Sequence, residues 1–398
     1  MPWKISSLLG ERRRFIQAVL RKCKSMAQVC RDFGISGKTG CKWWRRFQQH
    51  GRSGLGDRSR RPHRSPCRMA GRWQRAIRRW RQAHPSWGAK KIHAQLRRAH
   101  RRAALPKVRT LTRWWHRLGL VRRPKLRTRR GPTLARPALT VPQAPNQVWT
   151  VDFKGWFRTL DGTRVDPLTV RDLFSRYLLG IDLQHPQRDQ PVRRHMHRLF
   201  QRYGRPEVIR VDHGAPFAGV GALALSRLSV WWLRLGIRVE FTGRARPQDN
   251  AAHEQMHRIY KAEVASPPAA TRRGQQARTT RWRQEYNQRR PHEALGQQTP
   301  ATFYRKSRHR YRARLAALQY PRSWSAQRVT PSGRIRWRGR QRVIGRAFGG
   351  ERIGLKPIQT GVHEVYLGRQ RVGLLFDTDA GGMRPARWSK PAFSASQP

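Results

Sequence analysis

Two short apolar runs in the middle of the chain each end on an acidic residue. Asp152 closes the run 148–151, and Asp212 closes the run 208–211 immediately before a glycine turn. Runs of this kind predict buried strands, because β-branched and aromatic residues favour them. A carboxylate at the end of a buried strand is costly unless a cation meets it. The two runs therefore predict strands that deliver carboxylates to one cation-binding site.

A third acid lies downstream, where the sequence predicts a loop that opens into a helix. Glu254 falls in the first turns of this helix, and Asn250, Arg258 and Lys261 lie four residues before it and four and seven residues after it. Residues at these intervals share one face of an α-helix. Carboxylates suit Mg²⁺ or Mn²⁺, and two such ions can clamp both reacting oxygens of a phosphodiester. The pattern predicts an active site with two ions, whose catalytic and metal-binding residues are Asp152, Asp212 and Glu254.

The charge balance restricts the possible partners of the chain. Its 398 residues include 87 Lys and Arg against 21 Asp and Glu, for a formal charge of +66. Such a chain repels itself and releases counterions when it neutralises phosphates, so a polyanion is the expected partner. A hydrophobic content of 37% with 16 Trp still supports packed cores and excludes a wholly disordered chain. Arginine is abundant everywhere, so no single arginine run identifies a binding site.

The cysteines and the hydropathy pattern predict a cytoplasmic protein. The four cysteines lie at positions 23, 30, 41 and 67, a spacing that fits neither zinc ligation nor a secreted disulfide framework. We expect buried free thiols, as in a reducing compartment. The sequence shows neither a signal peptide nor a run of 18 apolar residues, so no membrane partner is expected.

Residues 1–50 predict three short helices with a turn at Gly34, a pattern typical of a helix-turn-helix unit. Helical periodicity alone fits any small helical bundle equally well, but the basic third helix favours DNA binding. Its predicted DNA-binding residues are Lys38, Lys42 and Arg45. Residues 51–68 predict a linker.

Residues 69–121 predict a second unit of the same kind. A basic, aromatic stretch that ends at Gly119 predicts its recognition helix, with Arg109 and Arg113 as DNA-binding residues. Two such units would recognise a longer DNA site than one. Residues 122–145 combine prolines with clustered arginines and predict a solvated, extended linker.

Residues 146–310 predict an α/β core in which a mixed sheet is covered by helices. The predicted strands are 148–153, 166–172, 177–183, 207–211 and 237–241. The predicted helices are 191–203, 222–235, the helix that carries Glu254, and 272–290.

Residues 325–380 predict a small SH3-like antiparallel β-barrel, because short alternating runs are separated by glycines. The predicted strands are 334–337, 342–344, 364–367 and 371–376. Basic side chains on the outside of this barrel would hold DNA by its phosphates. Residues 381–398 predict a disordered tail.

Several stretches together resemble a bacterial insertion-sequence transposase with a retroviral-integrase-type (DDE) core behind two helix-turn-helix units. The resemblance covers nearly the whole chain and is carried by motifs around Trp149-Thr150-Val151-Asp152, 166–177, Asp212-His213-Gly214, 249–254 and 286–292. Two features depart from the usual pattern. His213 stands where asparagine is usual, and the interval between Asp212 and Glu254 is longer than in the wider group.

The resemblance implies a ribonuclease-H-like core that cuts DNA at the ends of its element and joins the 3′-hydroxyls to a target. It maps the catalytic acids of the family onto Asp152, Asp212 and Glu254, and a downstream basic DNA contact onto Lys261. It further implies that the N-terminal units bind terminal inverted repeats and that a homo-multimer assembles on DNA, at the nucleoid in the cytoplasm. Arg258 shares the helix face of Lys261 and is a weaker candidate for DNA contact.

Two alternatives remain open from the sequence. His253 and His257 flank Glu254 in the H-E-x-x-H pattern of zinc metallopeptidases, in which the glutamate is a general base. That pattern is short and lacks the Gly-x-x-His continuation. A peptidase would also have no need for a formal charge of +66. A non-catalytic DNA-binding protein derived from a transposase would have the same sequence apart from its acids, and all three acids are present.

Overall fold

A computed structural model describes residues 7–59, 69–121, 139–219, 221–243, 251–378 and 381–385. By its internal contacts the chain divides into two compact units, Met1–Arg68 and Met69–Pro398.

The first unit contains three helices: α1 (Leu8–Leu20), α2 (Met26–Asp32) and α3 (Gly37–His50). Each begins at a serine whose side chain accepts a backbone N–H of the first turn, which satisfies a donor that the helix leaves unpaired. Its core is apolar and includes Phe15, Ile16, Val29 and Trp43. The described residues 7–50 confirm the predicted all-α N-terminal region.

The prediction of buried thiols is wrong for two of the four cysteines. Cys30 is buried, and it packs so close to α3 that a Cβ on Gly40 would lie 2.3 Å from its sulfur. Cys23 and Cys41 are free but exposed, because each falls on the outer side of its turn or helix. Cys67 lies outside the described residues.

The second unit opens with α4 (Gly71–Ala83), α5 (Ala89–Ala99) and α6 (Val108–Arg117). These helices enclose a core rich in tryptophan: Trp73, Ile77, Trp87, Ile92, Leu96, Leu111 and Trp115. Residues 122–138 of the predicted linker lie outside the described residues. Near the end of this linker the Arg210 guanidinium donates to the carbonyl of Thr140 at 2.6 Å, whereas Val141 is exposed.

A mixed sheet forms the centre of this unit. Its strands are β1 (Val148–Phe153), β2 (Phe157–Arg158), β3 (Arg164–Asp172), β4 (Leu178–Gln184), β5 (Val208–Val211) and β6 (Arg238–Phe241). The strand order is β2-β3-β1-β5-β6. The remaining strand, β4, lies outside this order and pairs with β3. β3 is antiparallel to both β1 and β4, whereas β1, β5 and β6 are parallel. Three antiparallel strands followed by two parallel ones form the mixed sheet that the sequence predicts.

Helices cover both faces of this sheet. On one face, α7 (Asp189–Tyr203) and α8 (Arg227–Arg234) pack on the largest apolar cluster, which includes Trp149 and Val151 of β1. The other face carries α9 (Ala251–Tyr260) and α10 (Arg272–Gln288), and a short α11 (Pro300–Phe303) follows. Side chains alternate along a strand, so Thr150 and Asp152 point to the face opposite Trp149 and Val151.

The helix predicted over 222–235 is shorter than expected. Residues Ala222–Ala224 form a 3₁₀ turn, and α8 begins only after Ser226, whose side chain caps it. Leu223 and Ala224 have positive φ values of 57° and 54°, which an α-helix does not allow.

The C-terminal strands form an open sheet, and the predicted closed barrel is not confirmed in the described residues. These strands are β7 (Ser325–Arg328), β8 (Arg334–Trp337), β9 (Arg340–Val343), β10 (Arg352–Gln359), β11 (Val362–Leu367), β12 (Gln370–Phe376) and β13 (Arg384–Pro385). Five are paired in the order β13-β12-β11-β10-β7, and β8 and β9 form a separate hairpin. The prediction of a disordered tail is wrong at its start, because β13 pairs with β12. Residues 386–398 lie outside the described part.

Among the helices that the structure describes, none is both long enough and apolar enough to cross a membrane.

We predict that Asp172→Ala destabilises the core by about 3 kcal/mol, because buried donors lose their acceptor. The Asp172 carboxylate is fully buried, and it accepts the backbone N–H groups of Asn146 at 2.7 Å and Ser175 at 2.8 Å. Calorimetry of the full chain would measure the shift of the core transition. Asp161→Ala, at an exposed turn, is the control and should have a much smaller effect. Equal effects of the two substitutions would contradict this account of Asp172.

Candidate active site

The first two acids lie at the carboxyl ends of paired parallel strands. Residues 148–150 of β1 pair with residues 208–210 of β5 in parallel register. Asp152 and Asp212 each lie two residues beyond the last of these pairs, at the same end of two neighbouring strands. Asp152 is half-buried and Asp212 is exposed. The backbone N–H of Gly214 donates to the Asp212 carboxylate at 3.1 Å, which orients that carboxylate at the strand end.

The third acid is carried by α9, which a buried histidine fixes to the sheet. His253 is 1% exposed, and its Nδ1 and Nε2 lie 2.8 Å and 2.6 Å from the hydroxyl oxygens of Thr150 and Thr169. Thr150 precedes Asp152 by two residues on β1, so this contact sets the first turn of α9 against the end of that strand. Glu254 follows His253 on the helix and is exposed.

The hydrogen bonds of Thr169 determine the tautomers of two histidines. Its hydroxyl donates to the carbonyl of Asp152 at 2.9 Å, because a carbonyl can only accept. The Nε2 atoms of His253 and His257 lie 2.6 Å and 2.8 Å from the same hydroxyl oxygen, so both must donate to it. His257 then carries its proton on Nε2, and its Nδ1 lies 4.0 Å from an Asp152 carboxylate oxygen.

Burial keeps both histidines neutral. Burial, together with the nearby cations Lys154 and Arg171, lowers the pKa of His257 to about 3. Burial also holds the pKa of His253 well below its ordinary value, with His257 and Arg171 as smaller causes. Neutral imidazoles add no positive charge beside the carboxylate of Asp152.

The side chains at this edge of the sheet include both histidine and carboxylate groups that could bind a metal ion. One oxygen of Asp152 and one nitrogen each of His253 and His257 lie within 4.8 Å of one another. Both nitrogens of His253 already contact threonine hydroxyls, however, so neither is free to bind a zinc ion. The structure therefore disfavours the H-E-x-x-H peptidase. The carboxylates at the strand ends are hard oxygen donors and fit a divalent cation such as Mg²⁺.

Two lysines lie at the same edge, and the sequence assigned a role to only one of them. Lys261 is exposed, whereas Lys154 is half-buried directly after β1. Burial lowers the pKa of Lys154, and the positive charge of Lys261 lowers it further. The motif around Asp152 contains Lys154, but its proximity to Lys261 depends on the fold and could not be read from the sequence.

The helix face that was predicted to carry Asn250, Glu254, Arg258 and Lys261 is only partly present. Arg258 is exposed on the helix, as Glu254 is, but the α-helix ends at Tyr260 and Lys261 begins a π-helical turn, Lys261–Ala265. Asn250 lies outside the described residues. The wider turn arises where Val264 and Ala265 are buried in the core.

The predicted DNA-binding residues of the helical units all lie on solvent-exposed helix surfaces. Lys38, Lys42 and Arg45 are exposed on α3, and Arg109 and Arg113 are exposed on α6. The apolar sides of the same helices form the cores of their units, with Trp43 and Trp115 buried. Their role as DNA contacts stays a prediction.

Models of known protein families match most of the chain. The integrase core domain matches residues 142–247, and a second integrase core model matches 235–300. The C-terminal domain of the IS481 family transposases matches 325–379. Helix-turn-helix and homeodomain-like models match 11–63 and 39–115.

Curated relatives come from bacterial insertion elements. The chain is 30% identical to the "insertion element IS407 uncharacterized 31.7 kDa protein" of Burkholderia multivorans, over 56% of this chain and 76% of the relative. It is 29% identical to the "insertion element IS476 uncharacterized 39.2 kDa protein" of Xanthomonas euvesicatoria, over 45% of this chain and 50% of the relative.

Solved structures of retroviral integrases are also similar. The catalytic core of HTLV-2 integrase in complex with magnesium is 14% identical with a TM-score of 0.32, and the match covers 40% of this chain and 97% of that one. An integrase chain of the simian T-cell lymphotropic virus intasome is 14% identical with a TM-score of 0.36, covering 71% and 98%. Similarities of this size carry no information about function.

The integrase core domain defines a DNA strand-transfer enzyme, a polynucleotidyl transferase of a class that uses divalent metal. Within that class, the chain belongs to the insertion-sequence transposases of the DDE type, with helix-turn-helix units ahead of the core.

We predict that the purified protein carries no stoichiometric zinc and that His257→Ala leaves its zinc content unchanged. The variant should still join DNA in Mg²⁺ at a rate within about tenfold of the wild-type rate. His257 lies beside Asp152 but is not one of the three acids expected to bind the metal. Metal analysis and a joining assay would measure both effects. Stoichiometric zinc that is lost with His253→Ala or His257→Ala, together with proteolytic activity, would instead establish a peptidase.

Proposed function

We propose that Asp152, Asp212 and Glu254 are the catalytic acids and that they hold two Mg²⁺ or Mn²⁺ ions. The observation that supports this proposal is the parallel pairing of β1 with β5, because Asp152 and Asp212 follow the paired residues at the same end of the two strands. Support comes from α9, which His253 fixes against β1 with Glu254 exposed beside it. When bound, such ions stabilise the charge on the attacking and leaving oxygens of a phosphodiester.

In the proposed reaction, water first cleaves the element end and leaves a 3′-hydroxyl, which then attacks a phosphodiester of the target DNA. Each step breaks one phosphodiester bond and forms one new bond to the same phosphorus. No covalent bond between protein and DNA is needed, so no serine or tyrosine nucleophile is assigned. The exposed Lys261, with Lys154 close to it, would hold a phosphate next to the reacting bond.

The remaining domains would bring DNA to this site. We assign 1–50 and 69–121 to recognition of the terminal inverted repeats, with 51–68 and 122–145 as linkers. The core would span 146–310, and the 325–380 domain would contact the DNA backbone, whether its sheet stays open or closes into a barrel on DNA. Two ends must be processed together, so a homo-multimer on DNA is expected, working at the nucleoid of the bacterial cytoplasm.

We predict that Asp152→Asn, Asp212→Asn and Glu254→Gln each abolish DNA joining while binding to the element ends persists. Each substitution removes a charged oxygen ligand, and misplacing an ion costs several kcal/mol of transition-state stabilisation. A joining assay and a band-shift assay on the same DNA would separate the two effects.

Glu207→Gln is a matched control, since Glu207 is an exposed acid just before β5, at the opposite end of that strand from Asp212. It should retain joining. Normal joining by one of the three acid variants would remove that acid from the site. Normal joining by all three, or a wild-type protein that binds DNA without joining it, would favour the non-catalytic alternative.

We predict that Lys261→Ala lowers joining but leaves the stability of the core unchanged, because Lys261 is exposed. Lys261→Arg should retain most of the activity, since a single phosphate requires positive charge more than a particular shape. A crosslink from position 261 to DNA near the cleaved 3′ end would locate the contact.

Arg258→Ala is the control for Lys261, because Arg258 is exposed on the same helix. It should affect joining less than Lys261→Ala does. If Lys261→Ala joined DNA normally and gave no crosslink, Lys261 would be a solvated surface residue.

A further inference from the structure

The turn that follows the catalytic helix α9 contacts the second helical unit. Glu263, in the π-helical turn, accepts the Trp282 indole N–H at 2.6 Å and the Arg290 guanidinium at 2.7 Å. The same carboxylate accepts the hydroxyl of Ser86, which lies between α4 and α5 of the helical unit. One acid thus connects the core helix α10, the residues just after it, and the DNA-recognition unit.

Further contacts surround this carboxylate on the side of α5. Lys90 forms an ion pair with Glu293, and Gln95 donates to the carbonyl of Arg289. The last contact of this kind follows one turn later, where Arg98 donates to the carbonyl of Gln297 at 3.1 Å. We call this set of contacts, together with those of Glu263, the α5–core joint.

An aromatic cluster lies inside the joint. Trp87 is 1% exposed, and the His84 ring stacks on it at 3.9 Å. The Arg290 guanidinium lies 5.9 Å from the same indole ring, and His84 Nδ1 lies 3.1 Å from the Glu285 carboxylate. The joint therefore has a buried aromatic centre with charged contacts around it, as lasting interfaces have.

The joint contains several carboxylates, which are scarce in this chain. Burial, together with the positive charge of Arg290, lowers the pKa of Lys91 to about 8. Glu263 and Glu293 oppose this effect. The whole sequence contains only 21 acids against 87 basic residues. The presence of three of them here, at Glu263, Glu285 and Glu293, indicates that the joint requires carboxylates.

We propose that Glu263 is a positioning residue that links the second DNA-recognition unit to the catalytic helix. Side chains of α5 and Ser86 contact the core, whereas Arg109 and Arg113 of α6 remain exposed for DNA. Because Glu263 lies in the turn that continues α9, a DNA end held by α6 is set at a fixed distance from Glu254. The joint thereby selects which phosphodiester reaches the active site. This inference rests on the proposed function in one respect, that α6 binds the element end.

A charge exchange at the edge of the joint tests the proposal in the full-length protein. Lys90→Glu and Glu293→Lys each place like charges opposite one another, and the double variant restores an opposite pair. We expect each single variant to bind end DNA within about threefold of wild type but to join it at least tenfold more slowly, because small misplacements of the reacting groups are costly. Glu263→Gln should show the same separation of binding from joining.

The position of the cut distinguishes positioning from simple destabilisation. A loosened joint should spread cleavage over neighbouring phosphodiesters, whereas a partly unfolded enzyme would cut more slowly at the correct one. The double exchange should restore both rate and position. The control is the exchange Glu207→His with His309→Glu, which reverses an exposed pair 3.9 Å apart at the start of β5 and should change neither the rate nor the position of the cut.

Hydrogen exchange without DNA tests the joint independently of catalysis. Amides of α5 and of residues 289–297 should exchange faster in the single variants and return to wild-type rates in the double variant. Unchanged exchange and correct cutting in the single variants, or no rescue by the double variant, would overturn the proposal. Rescue of hydrogen exchange in a protein that never cuts end DNA would preserve the joint and refute the transposase mechanism instead.

Discussion

The geometry of the active site depends on a buried histidine that fixes α9 to the sheet. Burying an imidazole is unfavourable unless its nitrogens are paired, and both nitrogens of His253 contact threonine hydroxyls on β1 and β3. The hydroxyl of Thr169 also donates to the carbonyl of Asp152. One side chain thus connects the backbone of the first acid to the helix of the third. An apolar residue at position 253 would bury comparable surface, but it would not fix the register of the helix along β1.

The cationic composition of the chain extends into its interior. Arg171 is 1% exposed on β3, and its guanidinium donates to the carbonyl of Ala252 in the first turn of α9. Its Nε and Nη2 atoms have no hydrogen-bond partner among the described residues. The buried charge contributes to the lowered pKa values of His253 and His257. Arg171 therefore anchors the first turn of α9 by a hydrogen bond, and its charge also helps to keep His253 and His257 neutral.

Much of the core could be predicted because its strands are short apolar runs with clear ends. The bounds of β1 agree with the prediction, and the other core strands differ by about two residues at an end. β10 was missed because Gly354 and Pro357 interrupt its alternation. The structure explains Gly354, since a Cβ there would lie 2.4 Å from the ring of Tyr320. The role of His253 was also missed, because the partners of a buried histidine come from strands distant in sequence.

The π-helical turn after α9 shows why the site and the joint are connected. In a regular α-helix Lys261 would continue the face of Glu254, and the residues after it would follow at the same angular steps. The wider turn buries Val264 and Ala265 in the core and leaves Lys261 exposed near Lys154. It also directs Glu263 to Trp282 and Arg290. Within this single turn, the cation Lys261 is thus directed toward the strand ends and the anion Glu263 toward the recognition unit. Such wide turns often occur at functional sites, and here any force on Glu263 reaches the helix that carries Glu254 through one turn of backbone.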